Sequence, residues 1–317
     1  MVVSPNQKIE PMQRDRSPLA RNLDTAFVWL TGGFASLIAI LLITIAIRVG
    51  IDASPAMAKF GLGFLFESRW DPVTEVYSAF PQIYGTIVSS FLALLLAVPV
   101  GIGVAIFLSE DFIPEKIQRP VVFLVELLAA IPSVVYGLWG IFVLIPVLRD
   151  MGKGIHQSLG WLPFFSTSPS GPGMYVAGII LAIMILPIIT AISRDALVAV
   201  PLELRQAAYG LGATRWETIF KIILPAAFSG VVGGIMLALG RAMGETMAVT
   251  MVIGNANKAS VSLFDQGSTV SSLLANQFAE ASGLQVSSLM YAAIVLFALT
   301  LVVNILAQVV VQRVNRI

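Results

Sequence analysis

The stretch Ile83–Leu108 reads IYGTIVSSFLALLLAVPVGIGVAIFL and holds no Asp, Glu, Lys or Arg. It exceeds the roughly 20 apolar residues that carry a helix across the hydrocarbon of a bilayer. Five further runs share its character: Phe27–Ile47, Val121–Leu148, Tyr175–Ile192, Pro225–Ile253 and Leu289–Val311. The apolar residues are continuous rather than alternating, which favours helices over a membrane barrel. In hydrocarbon each helix satisfies its own backbone donors and acceptors. The expected fold is therefore an all-α integral membrane protein with about six transmembrane helices.

Composition agrees. The chain has 317 residues, 57% of them hydrophobic and 12% charged, against roughly 25% charged in soluble domains. Its net charge of +1 gives no basic face for nucleic acid, so the lipid bilayer is the first partner implied. Cysteine is absent, which removes disulfides, thiol nucleophiles and thiolate metal sites. Residues 1–24 are polar and rich in Arg and Pro, the composition of a disordered tail; residues 25–317 form the transmembrane domain. The first run is longer than the apolar core of a signal peptide and lacks a small-residue cleavage site after it, so it is read as a retained helix.

Lys and Arg set the orientation. With the N-terminus inside, twelve of them fall on the cytoplasmic side and six on the other. Both termini of a multi-pass protein of the bacterial plasma (inner) membrane are expected in the cytoplasm. The outer segments 50–82, 150–174 and 255–288 are then long enough to offer a docking surface outside.

The loop between the fourth and fifth runs, about residues 200–224, reads ELRQAAYGLGATRWETIFKIILP from Glu203 to Pro225. A short helix starting after Pro201 would align Leu204, Ala207, Ala208 and Leu211 at helical spacing. Gly210 and Gly212 then permit a sharp turn. Pro225 suits a first helical turn at the start of the fifth span. The result is a rigid knob able to seat in a groove of a cytoplasmic partner. The pattern Gln206-Ala207-Ala208, Gly212, Ile222, Leu224-Pro225 resembles the EAA signature of ABC importer permeases, with glutamine where that family usually has glutamate. The resemblance implies a type I ABC importer permease architecture, in which this loop is the coupling helix; Gln206, Ala207, Ala208, Gly210 and Gly212 are then the residues that couple to the ATPase. No G-x-x-x-x-G-K-[ST] phosphate loop is present, so ATP hydrolysis is expected on a separate subunit.

In the fifth run, residues 240–250 read GRAMGETMAVT and place Arg241 and Glu245 four apart, on one face if the helix is continuous. An ionised Arg at mid-bilayer costs roughly 2.5–3.5 kcal/mol on insertion scales, so it is expected to face protein or water. The pairs Gly230/Gly234 and Gly240/Gly244 allow another helix to come close. Arg241 offers a planar, permanently charged group to a tetrahedral oxyanion; Glu245 is its expected resting partner or competitor. This run and ELLAAIPSVVYGLW from Glu126 to Trp139 are similar to the phosphate permeases of the ABC importers. That resemblance implies an importer for inorganic phosphate in which this chain forms half the translocation pathway. It also implies a second permease subunit, two copies of a cytoplasmic ATPase subunit carrying ATP and Mg, an external phosphate-binding protein, and Arg241 and Glu245 as transport residues. Arg241 alone would suit sulfate or molybdate equally, and an ion-coupled secondary carrier stays open as a third reading.

Other residues carry less. Glu126, near the start of the third helix, would line the path or pair with a partner's arginine, or equally would snorkel toward the cytoplasmic interface. Pro132 would kink the third helix, with Ser133 bonding the freed carbonyls. His156, the single histidine, falls in an outer segment and suits a surface role. Met236, Met243, Met247 and Met251 recur near helical spacing and suit adaptable packing. No catalytic residue and no metal-ligand cluster stands out, so the chain is not expected to be an enzyme or to hold a cofactor of its own.

Overall fold

A computed structural model of the chain describes residues 18–110 and 112–314. Residues 1–17 of the expected tail lie outside the described residues; residues 18–24 are already helical. The helices are α1 (Pro18–Phe60), α2 (Phe80–Ser109), α3 (Glu115–Ala129), α4 (Ser133–Leu159), α5 (Met174–Val198), α6 (Leu202–Gly210), α7 (Arg215–Gly244), α8 (Met247–Val252), α9 (Val270–Gln277) and α10 (Leu284–Val314). Six of these are long and apolar enough to cross a membrane. The chain divides into two compact units at Ile51. The first is the body of α1, whose side chains, such as Phe27, Leu30, Phe34 and Ile38, point outward all round, as a helix solvated by lipid requires.

In the second unit α5 is the central helix. Gly178 lets the Leu92 side chain of α2 lie where a Cβ would be 2.5 Å away, and Gly101 of α2 does the same for Ile189 at 2.9 Å. On the other flank of α5, Gly230 and Gly234 of α7 face Ala196 and Ile192. Close approach replaces the missing hydrophobic drive between helices in lipid. The first pair of glycines expected for close packing is thus used. The second pair, Gly240 and Gly244, meets nothing within 4 Å. The N–H groups at the start of α5 are satisfied from the end of α8 and the loop after it: Gly173, just before the helix, donates to Val252 O at 3.0 Å, Met174 to Asp265 O at 3.1 Å and Tyr175 to Leu263 O at 2.9 Å.

Two of the expected long helices are interrupted. The run 121–148 does not kink at Pro132; it divides into α3 and α4, because Pro132 takes an extended ψ of 140° as the residue before α4. The carbonyl of Leu128 accepts from the Tyr136 hydroxyl at 2.9 Å, so Tyr136, not Ser133, repairs the break. Tyr136→Phe should therefore lower the stability of the purified chain by about 0.5–1.5 kcal/mol, the net worth of one hydrogen bond, because the Leu128 carbonyl keeps a long bond from Ile131 N–H at 3.4 Å; the effect is read as a drop in thermal midpoint with the fold retained. The run 225–253 divides likewise: Glu245 takes ψ 127° and α8 begins at Met247. The two breaks pack together, since Gly137 and Gly140 of α4 leave room for Met251, Ala248 and Val252 of α8. The methionines consequently do not share a face: Met243 is buried, Met247 is exposed and Met251 fills the space over Gly137.

Pro225 also sits differently from expectation. The helix starts ten residues earlier, at Arg215, and widens to a π turn over Ile219–Ile223, in which the N–H of Leu224 reaches back to Ile219 O. The wide turn accommodates a ring that would collide with the carbonyl of an ordinary turn. Gly140–Leu144 ahead of Pro146 repeats the device.

The end of the molecule holding the α1–α2 connection is built from aromatics and a hydroxyl cluster. Phe64 stacks on Tyr291 with centroids 4.4 Å apart, and Trp70 meets Tyr77 edge-on at 5.0 Å. The start of α9 is capped by Thr269 and Ser272, and Thr86 of α2 accepts from Val270 N–H at 3.1 Å. Gly85 permits this contact, because a Cβ there would lie 2.1 Å from the Ser268 carbonyl oxygen. Gly85→Ala should cost at least the roughly 1–3 kcal/mol of an overpacked core, measured as loss of folded chain in detergent and of the melting transition.

Candidate functional site

Arg241 belongs to the last turn of α7, one turn before the helix stops. It lines an open cleft of about 840 Å³ with Gly233, Met236 and Gly240 of α7, Ile188 of α5, and Asn304 and Gln308 of α10. The open space beside Gly240 and Gly244 explains why these glycines meet no helix. Among the described residues no carboxylate is within ion-pair distance of Arg241. Its charge is felt at the Tyr136 hydroxyl, at the α3–α4 break.

Glu245 is not on the Arg241 face. The helix ends between them, so the i, i+4 relation expected for one continuous helix is broken. Glu245 instead accepts from the N–H of Ala248 at 3.3 Å, in the first turn of α8. The stop follows from Gly244, a poor helix former, and from that alternative carboxylate-to-backbone bond just beyond it.

Glu126 was expected inside a span. It is on α3, outside the six candidate spans, and lines a small pocket of about 170 Å³ with Gln118, Arg119 and Arg194. Arg119 is engaged by Glu115 at 2.6 Å. His156, expected in a loop, is in the last turn of α4, with Nδ1 2.8 Å from the Phe165 carbonyl oxygen.

The residues expected to couple to an ATPase, Gln206, Ala207, Ala208, Gly210 and Gly212, lie on a short helix and the turn that ends it. Helix α6 starts after Pro201 and ends in a Schellman turn: Ala213 N–H donates to Ala208 O at 3.1 Å and Gly212 N–H to Tyr209 O at 3.0 Å. Gly212 takes φ +83°, while Gly210 is still helical. Of the face expected to pack, only Ala208 is buried. Leu204, Ala207 and Leu211 are exposed, as are Gln206 and Leu202.

The anchor of this knob escaped the sequence reading. Arg205, three residues into α6, forms an ion pair with Glu110 just past α2, both largely buried, and donates to Leu197 O of α5 at 2.8 Å. Beside it, Phe112 lies between Phe107 and Trp216 at 5.9 and 5.8 Å, and the Arg215 guanidinium sits 3.9 Å from its ring centre. Glu110 and Arg205 are 95 positions apart; the one available signal was the acidic pair Glu110-Asp111 ending an uncharged run.

Comparison with known proteins completes the description. The family profile described as "Binding-protein-dependent transport system inner membrane component" matches residues 97–316. The phosphate transport system permease protein PstC of Pasteurella multocida is 44% identical, the alignment covering 93% of each chain. That of Mycobacterium tuberculosis, PstC 2, is 39% identical over 97% of each. Among solved structures, a bacterial ABC transporter that imports the acidic polysaccharide alginate aligns with TM-score 0.59 at 16% identity, covering 93% of this chain and 98% of that one. The inward-facing MetNI methionine ABC transporter aligns with TM-score 0.51 at 20% identity over 74% and 94%. At these identities the structural likeness speaks to the fold alone.

Proposed function

Because the chain belongs to the family of binding-protein-dependent transport system inner membrane components, we propose that it is one of two permease subunits of an ATP-driven importer for inorganic phosphate. The observation that carries the reading is an arginine with no carboxylate partner among the described residues, in an open cleft between membrane helices, in a chain that a PstC phosphate permease matches over 93% of its length. Such an arginine attracts an anion without first having to release a counter-charge.

The remaining parts fall into place around Arg241. A second, PstA-like permease subunit closes the open side of the cleft, so that each contributes half the pathway. Two PstB-like ATPase subunits, which hold ATP and Mg, receive α6 through Leu202, Leu204, Gln206, Ala207 and Leu211. A PstS-like binding protein delivers phosphate on the far side, with both termini of this chain in the cytoplasm as the excess of Lys and Arg supports. The break at Glu245-Thr246 is the switch: straightening it would bring Glu245 to i, i+4 from Arg241, where the carboxylate competes with the anion.

The test is ATP-dependent uptake of labelled phosphate into proteoliposomes holding this chain with the other three components. Arsenate should compete and sulfate should not. Competition by sulfate or molybdate would replace phosphate by another oxyanion, and uptake without the ATPase subunit would remove the reading altogether.

A further inference from the structure

We propose that Asn304 and Gln308 of α10 are anion-contacting groups of the same path as Arg241, selecting a tetrahedral oxyanion that keeps a hydroxyl of its own. The inference rests on the reading of the Arg241 cleft as an anion path. Both side chains line that cleft, four residues apart and so on one face of α10.

Their neighbours make the placement informative. Leu301, Val302, Ile305 and Leu306 are exposed apolar residues, suited to lipid. The nearby Thr300 hydroxyl donates to its own helix, to Leu296 O at 3.0 Å and Phe297 O at 2.8 Å. Among the described residues neither carboxamide has such a partner, and a polar group without one is costly in hydrocarbon. The open cleft they line gives them a wet path that avoids the expense.

The chemistry of the pair complements Arg241. Arginine donates and never accepts, whereas each carboxamide offers two N–H donors and one carbonyl acceptor. Phosphate near neutral pH retains at least one P–O–H, which requires an acceptor; sulfate has none. A carboxylate acceptor would repel the anion, and among the described residues no carboxylate lines the cleft. Neutral acceptors beside one fixed positive charge therefore suit a hydroxyl-bearing oxyanion.

The absence of cysteine makes the proposal testable in the assembled transporter. Asn304→Cys, Gln308→Cys and, on the apolar face, Leu306→Cys would be exposed singly to a charged methanethiosulfonate, with modification of this chain read by mass spectrometry. The first two should react well ahead of the third, and phosphate or arsenate added directly, but not sulfate, should slow them. In parallel, the double variant Asn304→Leu, Gln308→Met should lose about tenfold or more in uptake, the worth of one or two hydrogen bonds, with ATPase assembly unchanged. Thiols at 304 and 308 as inert as that at 306, labelling indifferent to phosphate, or wild-type uptake by the double variant would each overturn the proposal. Uptake by Arg241→Gln separately tests the underlying path, so the two failures are distinguishable.

Discussion

Arg241→Gln should reduce phosphate uptake by about a hundredfold or more, since removing one charge from a desolvated charged pair costs roughly 2–5 kcal/mol. The complex should still assemble and bind ATP, because the side chain supports no ion pair among the described residues and lines an open cleft. Glutamine keeps two N–H donors on a shorter side chain while deleting the charge. Arg241→Lys restores the charge as a point, without the planar fork that bonds two oxygens at once, and should recover part of the rate. Uptake at the wild-type level in Arg241→Gln, with the chain inserted and assembled, would make the cleft a structural gap and withdraw the site assignment. Loss of assembly instead would show that Arg241 meets the second permease subunit rather than the anion. The ratio of ATP hydrolysed to phosphate imported separates slow passage from failed coupling, because a defect confined to the anion site leaves α6 and its partner intact.

Periodicity and length made the spans legible, because a bilayer imposes nearly the same requirement on every crossing helix. The knob at α6 was legible as well: Pro201 fixes its start and Gly212 its end, both through local backbone geometry. The helix breaks were not, although each has a local cause. Pro132 is compatible with a kink or a stop, and the choice falls to a stop because Tyr136 can reach the Leu128 carbonyl and α8 can pack on Gly137. Glu245 is compatible with continued helix, and its i, i+4 spacing from Arg241 invited a pairing that the break removes. Hydropathy also merged α3 with α4, so that Glu126 falls on a separate 15-residue helix rather than within one long span. Each error arose where tertiary contacts decide between two locally permitted conformations.

Glu110→Ala should uncouple the transporter. It leaves the Arg205 guanidinium, 15% exposed, without its carboxylate, a loss of roughly 3–5 kcal/mol when one partner of a buried pair is removed. The consequence is directional, because Arg205 is the member on α6 and its other bond is to Leu197 O at the end of α5. With Glu110 gone, α6 loses its tie to α2, which packs along α5 at the centre of the bundle. On the proposed coupling, a force delivered to the knob then reaches α7 through Gly212 and the Thr214 cap and reaches α2 only indirectly, through Leu197 of α5 and the Phe112 ring contacts. Uptake should fall several-fold more than ATP hydrolysis, raising the ATP used per phosphate imported, and the thermal midpoint should drop. Arg205→Met should behave alike. The double variant Glu110→Leu, Arg205→Met removes both charges and should regain much of the stability, as apolar replacement of buried pairs commonly does. If the pair matters to coupling as a directional tie, the double variant stays uncoupled after stability returns. If stability and coupling recover together, the pair matters only for holding the fold. Single variants with a wild-type ratio of ATP to phosphate would remove the tie from the mechanism and leave the Phe107, Phe112 and Trp216 contacts as the link between α2 and the knob.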